Sequence, residues 1–195
     1  MILASVRVSC RCAAAAAPLA ALVCHAGADP YELFGTAQGS IEAGDSYDWG
    51  ACHDFSRLTV NGGELSGMFM VDVYGDGSYF RNSRLSAFDT SELIINDGNI
   101  QGNTTRVYRV FATGQSRVVV NGGLIPGLVG YSTSQVIVNG GTFVTDLEVT
   151  DEAFGVVYGG DFGTHDVISS STAGLELRGG LVDNAESQWD GRLAI

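Results

Sequence analysis

Four twelve-residue stretches of this chain share one pattern. SRLTVNGGELSG begins at Ser56, SELIINDGNIQG at Ser91, SRVVVNGGLIPG at Ser116 and SQVIVNGGTFVT at Ser134. Their Gly-Gly step stands at Gly62-Gly63, as Asp97-Gly98, and at Gly122-Gly123 and Gly140-Gly141, and it recurs at Gly159-Gly160 and Gly179-Gly180. The intervals are 35, 25, 18, 19 and 20 residues. The later ones define a unit of about 18 to 20; the first is two units, or one unit with an insertion. A fixed period near 20 residues marks a solenoid and outweighs local propensity.

Each unit has the same internal grammar. A Ser opens it, and apolar residues then alternate as Leu58/Val60, Leu93/Ile95, Val118/Val120 and Val136/Val138. Period-two alternation puts them on one face of a strand. After Asn-Gly-Gly comes one more apolar residue, Leu65, Ile100, Ile125 or Phe143. A second short strand closes the unit, as in LSAF 85–88, YRVF 108–111 and DLEV 146–149.

Asn-Gly ordinarily signals a two-residue hairpin. Here only Leu124-Ile125 separate Gly123 from Pro126-Gly127, too short an arm to pair back on Ser116–Val120, and Pro126 has no N–H to donate. Asn-Gly-Gly is therefore read as a corner between stacked coils. Asn61, Asn96, Asn121 and Asn139 would then stand about 4.8 Å apart and bond amide to amide. The opening Ser residues are candidates for a second ladder. One coil buries too little to offset the entropy of ordering it, so the unit must repeat.

The expected fold is all-β: a single-stranded parallel β-helix, right-handed, of six or seven coils of roughly 18–25 residues. Residues 29–55 read as an N-terminal cap with an incomplete first coil, GSIEAGDSYDW; 56–151 as the solenoid repeats; and 152–195 as C-terminal coils and a closing segment. Residues 68–81, MFMVDVYGDGSYFR, fit no plain coil and read as a side loop or a strand pair turning at Gly75-Asp76-Gly77. Tyr158 and Arg178 replace the corner Asn, so the ladder should stop near Asn139.

The first 28 residues differ from the rest. Arg7 and Arg11 precede an Ala-rich apolar run, Cys12 to Cys24, and Ala26-Gly27-Ala28 matches a cleavage site. This reads as a secretory signal peptide. A short buried helix is the alternative, the run is too short to span a bilayer, and Val23 disfavours Cys24 as a lipoprotein cysteine. Its removal leaves Cys52 alone, with no intramolecular disulfide possible. Secretion, to the extracellular space or the cell envelope, is the expected location.

Composition narrows the function. The ten basic residues are all Arg, against 22 acidic ones, for a net charge of −12. No basic stripe exists to neutralise phosphates, which argues against nucleic acid and anionic membranes.

The repeated S-x-V-x-V-N-G-G-x-I-x-G unit resembles exported bacterial β-solenoid proteins, many of the PEP-CTERM-sorted class, and is similar to autotransporter and adhesin passenger repeats. FGVVYGGDF 154–162, LELRGGLVDN 175–184 and WDGRLAI 189–195 resemble segments that close such arrays. The resemblance covers about residues 40–195 and implies an envelope, extracellular-matrix or adhesion role rather than an activity. The class's sorting signal is absent: there is no Pro-Glu-Pro, no C-terminal apolar span and no terminal Arg cluster. The expectation is a chain that continues beyond Ile195 or is released rather than anchored.

β-Helices also include polysaccharide lyases and hydrolases, which need clustered carboxylates in a groove. The candidates here are Asp72 with Asp76, and Asp161 with His165 and Asp166, while Arg106 and Arg109 are candidates for binding an acidic sugar. The plainer reading makes each a solvated loop residue. Cys52 reads as a small buried hydrophobe, and its neighbour His53 makes no catalytic pair with it.

DVYGDGS 72–78 lacks EF-hand spacing, and YGGDFGTHD 158–166 only approaches the calcium nonapeptide. Calcium is therefore a weak expectation, and His53 and His165 are too distant in sequence to suggest zinc. No catalytic, cofactor or metal residue is assigned. Ile94, Val119 and Ile137 fall on out-facing positions and predict an apolar stripe that a partner or a loop of the same chain would cover. The expected function is a secreted or cell-surface structural or adhesion module without catalysis, meeting a surface polysaccharide or another protein through its faces. The alternatives are a small carbohydrate-active enzyme and a fragment of a larger exported array.

Overall fold

A computed structural model describes residues 30–66, 69–72, 80–100 and 109–195, the side chains of 69–72 and 80–82 excepted. The expected leader, residues 1–28, lies outside the described residues, as do Asp76, Arg106 and the Asp72 side chain.

The chain winds coil after coil. The strands run in the order β1 (Tyr31–Leu33), β2 (Gln38–Ile41), β3 (Ser46–Tyr47), β4 (Gly50–Cys52), β5 (Arg57–Leu65), β6 (Phe69–Asp72) and β7 (Phe80–Ala87). Then come β8 (Glu92–Asn99), β9 (Arg109–Ala112), β10 (Arg117–Val120), β11 (Leu124–Ile125), β12 (Leu128–Gly130), β13 (Gln135–Val138), β14 (Thr142–Phe143) and β15 (Leu147–Val149). The series ends with β16 (Phe154–Val157), β17 (Asp166–Ser169), β18 (Gly174–Leu177), β19 (Asn184–Ser187) and β20 (Arg192–Ala194). There is no helix among the described residues.

Two parallel sheets result. One stacks β1-β4-β7-β9-β12-β15-β17-β19. The other stacks β2, β5, β8, β10, β13, β16, β18 and β20 along its main face, and carries the short strands β3, β11 and β14 round the corner. Neighbours in each stack lie about one repeat apart in sequence, which is the wiring of a parallel β-solenoid. Arg57 pairs directly with Glu92, so the 35-residue interval is one coil with an insertion and not two coils. That insertion includes β6, antiparallel to β7 from Phe69–Ser83 to Asp72–Phe80, which is the strand pair expected over 68–81; its turn lies outside the described residues. Residues 38–52 go further than the incomplete coil expected there. β2 and β3 pair with β5, and β4 with β7, so they form a whole coil.

Register explains the core. Leu93, Val118 and Val136 stand side by side, as do Ile95, Val120 and Val138. All six are buried, as are the post-corner residues Leu65, Ile100, Ile125 and Phe143. Inside the stack Phe143 packs on Phe162 with ring centroids 4.3 Å apart. A second, smaller cluster of Phe111, Val129 and Tyr131, with Phe88 against it, lies on the side of its sheet away from the core.

The corner shows why two glycines recur. A β-carbon on Gly122 would stand 2.5 Å from the Asn96 carbonyl oxygen, and one on Gly140 2.6 Å from that of Asn121. The second glycine turns the chain, with φ of 90° at Gly123, a conformation that side chains with a β-carbon disfavour. The first glycine therefore gives close approach between coils, and the second gives the bend.

The predicted ladder forms. Asn96 Nδ2 donates to Asn61 Oδ1 at 2.8 Å, Asn121 Nδ2 to Asn96 Oδ1 at 2.7 Å, and Asn139 Nδ2 to Asn121 Oδ1 at 2.7 Å. At one end Asn61 donates to Glu42 Oε1 at 2.9 Å. The opening serines do something else. Ser56 Oγ donates to the Leu33 carbonyl and Ser91 Oγ to the Cys52 carbonyl. They tie side chain to main chain between coils, while Ser116 Oγ and Ser134 Oγ are buried without a hydrogen-bond partner.

Candidate functional site

The main outer face of the larger sheet carries three columns, one for each out-facing position of the repeated strand. The first column runs Arg57, Glu92, Arg117, Gln135, Phe154, Gly174, Arg192. Glu92 is clamped from both sides, by Arg57 and by Arg117. The middle column runs Thr59, Ile94, Val119, Ile137, Val156, Glu176. This is the apolar stripe expected at Ile94, Val119 and Ile137, now extended by Val156. Packing against its own neighbours leaves Val119 and Val156 buried and Ile94 and Ile137 half-buried. The third column is the Asn ladder.

Past Asn139 the third column changes character. Tyr158 and Arg178 take the corner, with the guanidinium carbon 5.3 Å from the Tyr158 ring centroid and Nη1 donating to the phenol oxygen at 3.2 Å. Arg178 also donates to Glu176 from Nε at 2.9 Å and from Nη2 at 2.5 Å.

The second sheet gathers charge on its outer side. Arg109 Nη1 reaches Glu148 at 3.1 Å and Nη2 reaches Asp146 at 3.4 Å. The Asp166 N–H donates to Asp146 Oδ1 at 3.1 Å, and Asn184 donates to Asp166 Oδ1 at 2.6 Å. Of the residues proposed from sequence, Asp161 does not join this group. Its Oδ1 accepts the Gly163 N–H at 3.0 Å in a local turn, while the His165 N–H closes a turn on the Phe162 carbonyl. Asp161, His165 and Asp166 are not a group placed to hold a metal ion. The carboxylates that Arg109 holds are Asp146 and Glu148, which lie 37 and 39 residues away in sequence.

Cys52 is fully buried, with its sulfur 3.6 Å from the Ser86 carbonyl oxygen. Burial pushes its thiol up to about 12, which removes the thiolate a nucleophile needs. His53 lies between Phe34 and Phe88, with ring centroids 4.5 and 4.6 Å away and the rings nearly parallel. Desolvation lowers its pKa, opposed by Glu32, Asp89 and Asp54. Its Nε2 is 3.8 Å from Glu32, too long for a hydrogen bond.

The opposite corner holds a feature that sequence reading missed. Asp54, Asp89, Ser132, Asp151, Ser171 and Trp189, with Gly35 and Gly114, all have φ between 53° and 68°. The carboxylates bond from coil to coil: Asp54 Oδ2 accepts the Gly35 N–H at 2.9 Å, and Asp89 Oδ2 the Asp54 N–H at 3.2 Å. The signal was a residue two places before each opening Ser or Ala (Gly191 in the last coil), short everywhere except at Trp189 and masked by its changing identity.

Among the described residues no group of three or more His, Cys, Asp or Glu is placed to hold a metal ion. No described helix is long and apolar enough to cross a membrane. Two clefts lie at the C-terminal coils. One, of about 680 Å³, is lined by Leu177, Val182, Asn184 and Ile195. The other, of about 420 Å³, opens beside Phe154. Comparisons with protein-family models, with curated proteins and with solved structures found no match to this chain.

Proposed function

We propose that this chain is an exported, non-catalytic β-solenoid module of the cell surface or extracellular matrix, which presents its outer faces to a polysaccharide or another protein. One observation carries the reading: the recurring polar side chains are spent on holding coil to coil. The asparagines bond to each other, the turn carboxylates to the main chain of the preceding coil, and Glu92 to two arginines. Groups so engaged stabilise a rod and leave regular faces for contact. The acid balance suits a solvated extracellular surface, and the leader pattern at residues 1–28 supports export.

A second reading has one observation in its favour. Asp146 and Glu148 share Arg109 on one outer face, and paired carboxylates are what a glycoside-cleaving enzyme requires. The test is incubation of the folded chain with neutral and acidic polysaccharides, followed by assays for new reducing ends and unsaturated uronates. The module reading expects neither product. Sustained turnover that disappears in Asp146→Asn or Glu148→Gln would establish the enzyme instead.

A further inference from the structure

The first column of the main outer face is filled in coil after coil by long side chains, and it is interrupted once. At Gly174 the side chain is missing, between Phe154 on one side and Arg192 on the other. The Phe154 ring leans towards the vacancy: a β-carbon on Gly174 would be 3.0 Å from its Cδ2 and 3.4 Å from its Cε2. Phe154 nonetheless keeps 43% of its surface exposed. The cleft of about 420 Å³ that opens here is lined by Glu152, Thr172, Glu176 and Arg192 as well as by Phe154. That volume lies in the range of ligand pockets.

We infer that this notch over Gly174 is a binding subsite for a neutral glycan, with a sugar ring lying against Phe154. The inference rests on the surface-module reading and names the ligand of one face. An aromatic ring with a free side offers its apolar surface to the C–H face of a pyranose. Around that face a sugar presents hydroxyls that both donate and accept. The cleft supplies the complement: a carboxylate acceptor in Glu152, Glu176 being held by Arg178, and donors in Arg192, which has no ion-pair partner among the described residues. Arg192 presents five N–H donors in a fixed plane, suited to paired oxygens.

Tyr158, at the corner after this strand, is also exposed, and Arg178 lies over one face of its ring. Phe154 is the exposed ring that lines this cleft. Charge chooses the class of sugar. The chain carries a net −12, so an acidic sugar meets repulsion that a neutral one does not.

The experiment is calorimetric titration of the chain with cellohexaose, maltohexaose and xylohexaose, and with hexagalacturonate as the acidic comparison. The expected result is binding of at least one neutral hexasaccharide and weaker binding of hexagalacturonate. Phe154→Ala is expected to lower the neutral affinity about tenfold. Gly174→Gln, which fills the notch as Gln135 fills its own coil, should do the same. Phe55→Ala, at an exposed ring elsewhere, should leave binding unchanged, and thermal unfolding should show all three variants folded. The subsite is overturned if no neutral hexasaccharide binds, if hexagalacturonate binds more tightly, or if both notch variants bind like the parent. A chain that cleaves these sugars defeats the module reading itself, whereas one that neither cleaves nor binds them defeats only the subsite.

Discussion

The carboxamide of Asn121 donates to that of Asn96 at 2.7 Å across 25 residues of sequence. Asn121 in turn accepts from Asn139, so one side chain joins three coils. Asn121→Ala removes both bonds. The site is exposed, and water can take up the freed groups. The expected cost is about 1 kcal/mol, or a fall of about 2–4 °C in Tm for a chain of this size. A double-mutant cycle with Asn96→Ala should show a coupling energy of about 0.5 kcal/mol or more. Strict additivity would contradict the ladder.

Gly122→Ala should cost more than loss of a ladder bond. Its new β-carbon would meet the Asn96 carbonyl oxygen at 2.5 Å, and backbone cannot step aside as a flexible side chain can. A loss of about 2–3 kcal/mol is expected. Gly163→Asn is the comparison. Gly163 has φ of 52° but no heavy atom within 4 Å of its β-carbon position, and Asn tolerates that backbone. Its change should stay within about 0.5 kcal/mol. Chemical denaturation of both variants measures the difference, and equal losses would refute the close-packed corner.

Cys52 should be chemically silent in the folded chain. Its thiol is pushed up to about 12 and fully buried, so iodoacetamide at pH 8 should label it only after unfolding in denaturant. Rapid labelling of the native chain, read by mass spectrometry, would show that the thiol is accessible.

Where the sequence could be read, it was read through repetition. The Gly-Gly steps and corner asparagines recur as the same letters, so both the corner and the ladder were visible at Asn61, Asn96, Asn121 and Asn139. The other corner was not, because its left-handed position is met by Asp54, Gly114, Ser132 and Trp189 alike; what repeats there is a conformation and not a residue. The surroundings of Arg109 were hidden for another reason. Its partners Asp146 and Glu148 come from a coil two turns on, and unequal coil lengths hide that neighbourhood. The Phe154 notch was hidden too, because it consists of an absent side chain at Gly174.

His53 predicts a pH effect. Burial between Phe34 and Phe88 holds its folded pKa below the unfolded value of about 6.5. The neutral ring is therefore favoured by folding. Its contribution is fully present above about pH 6.5 and is lost as pH falls through the lower, folded pKa. His53→Phe continues the aromatic stack without a titrating group. Its stability relative to the parent should rise as pH drops from 7.5 to 5, as followed by urea denaturation. A difference that is flat across this range would contradict the assignment.

The central claim is that the repeated polar residues hold coil to coil, and the side-chain amides of the corner asparagines test it most directly. Nuclear magnetic resonance on labelled chain would read their proton–proton contacts and exchange with water. The account predicts slowed exchange of the bonded amide protons and contacts in the order Asn61–Asn96–Asn121–Asn139. Amides that exchange at the rate of free asparagine, or contacts in any other order, would contradict it.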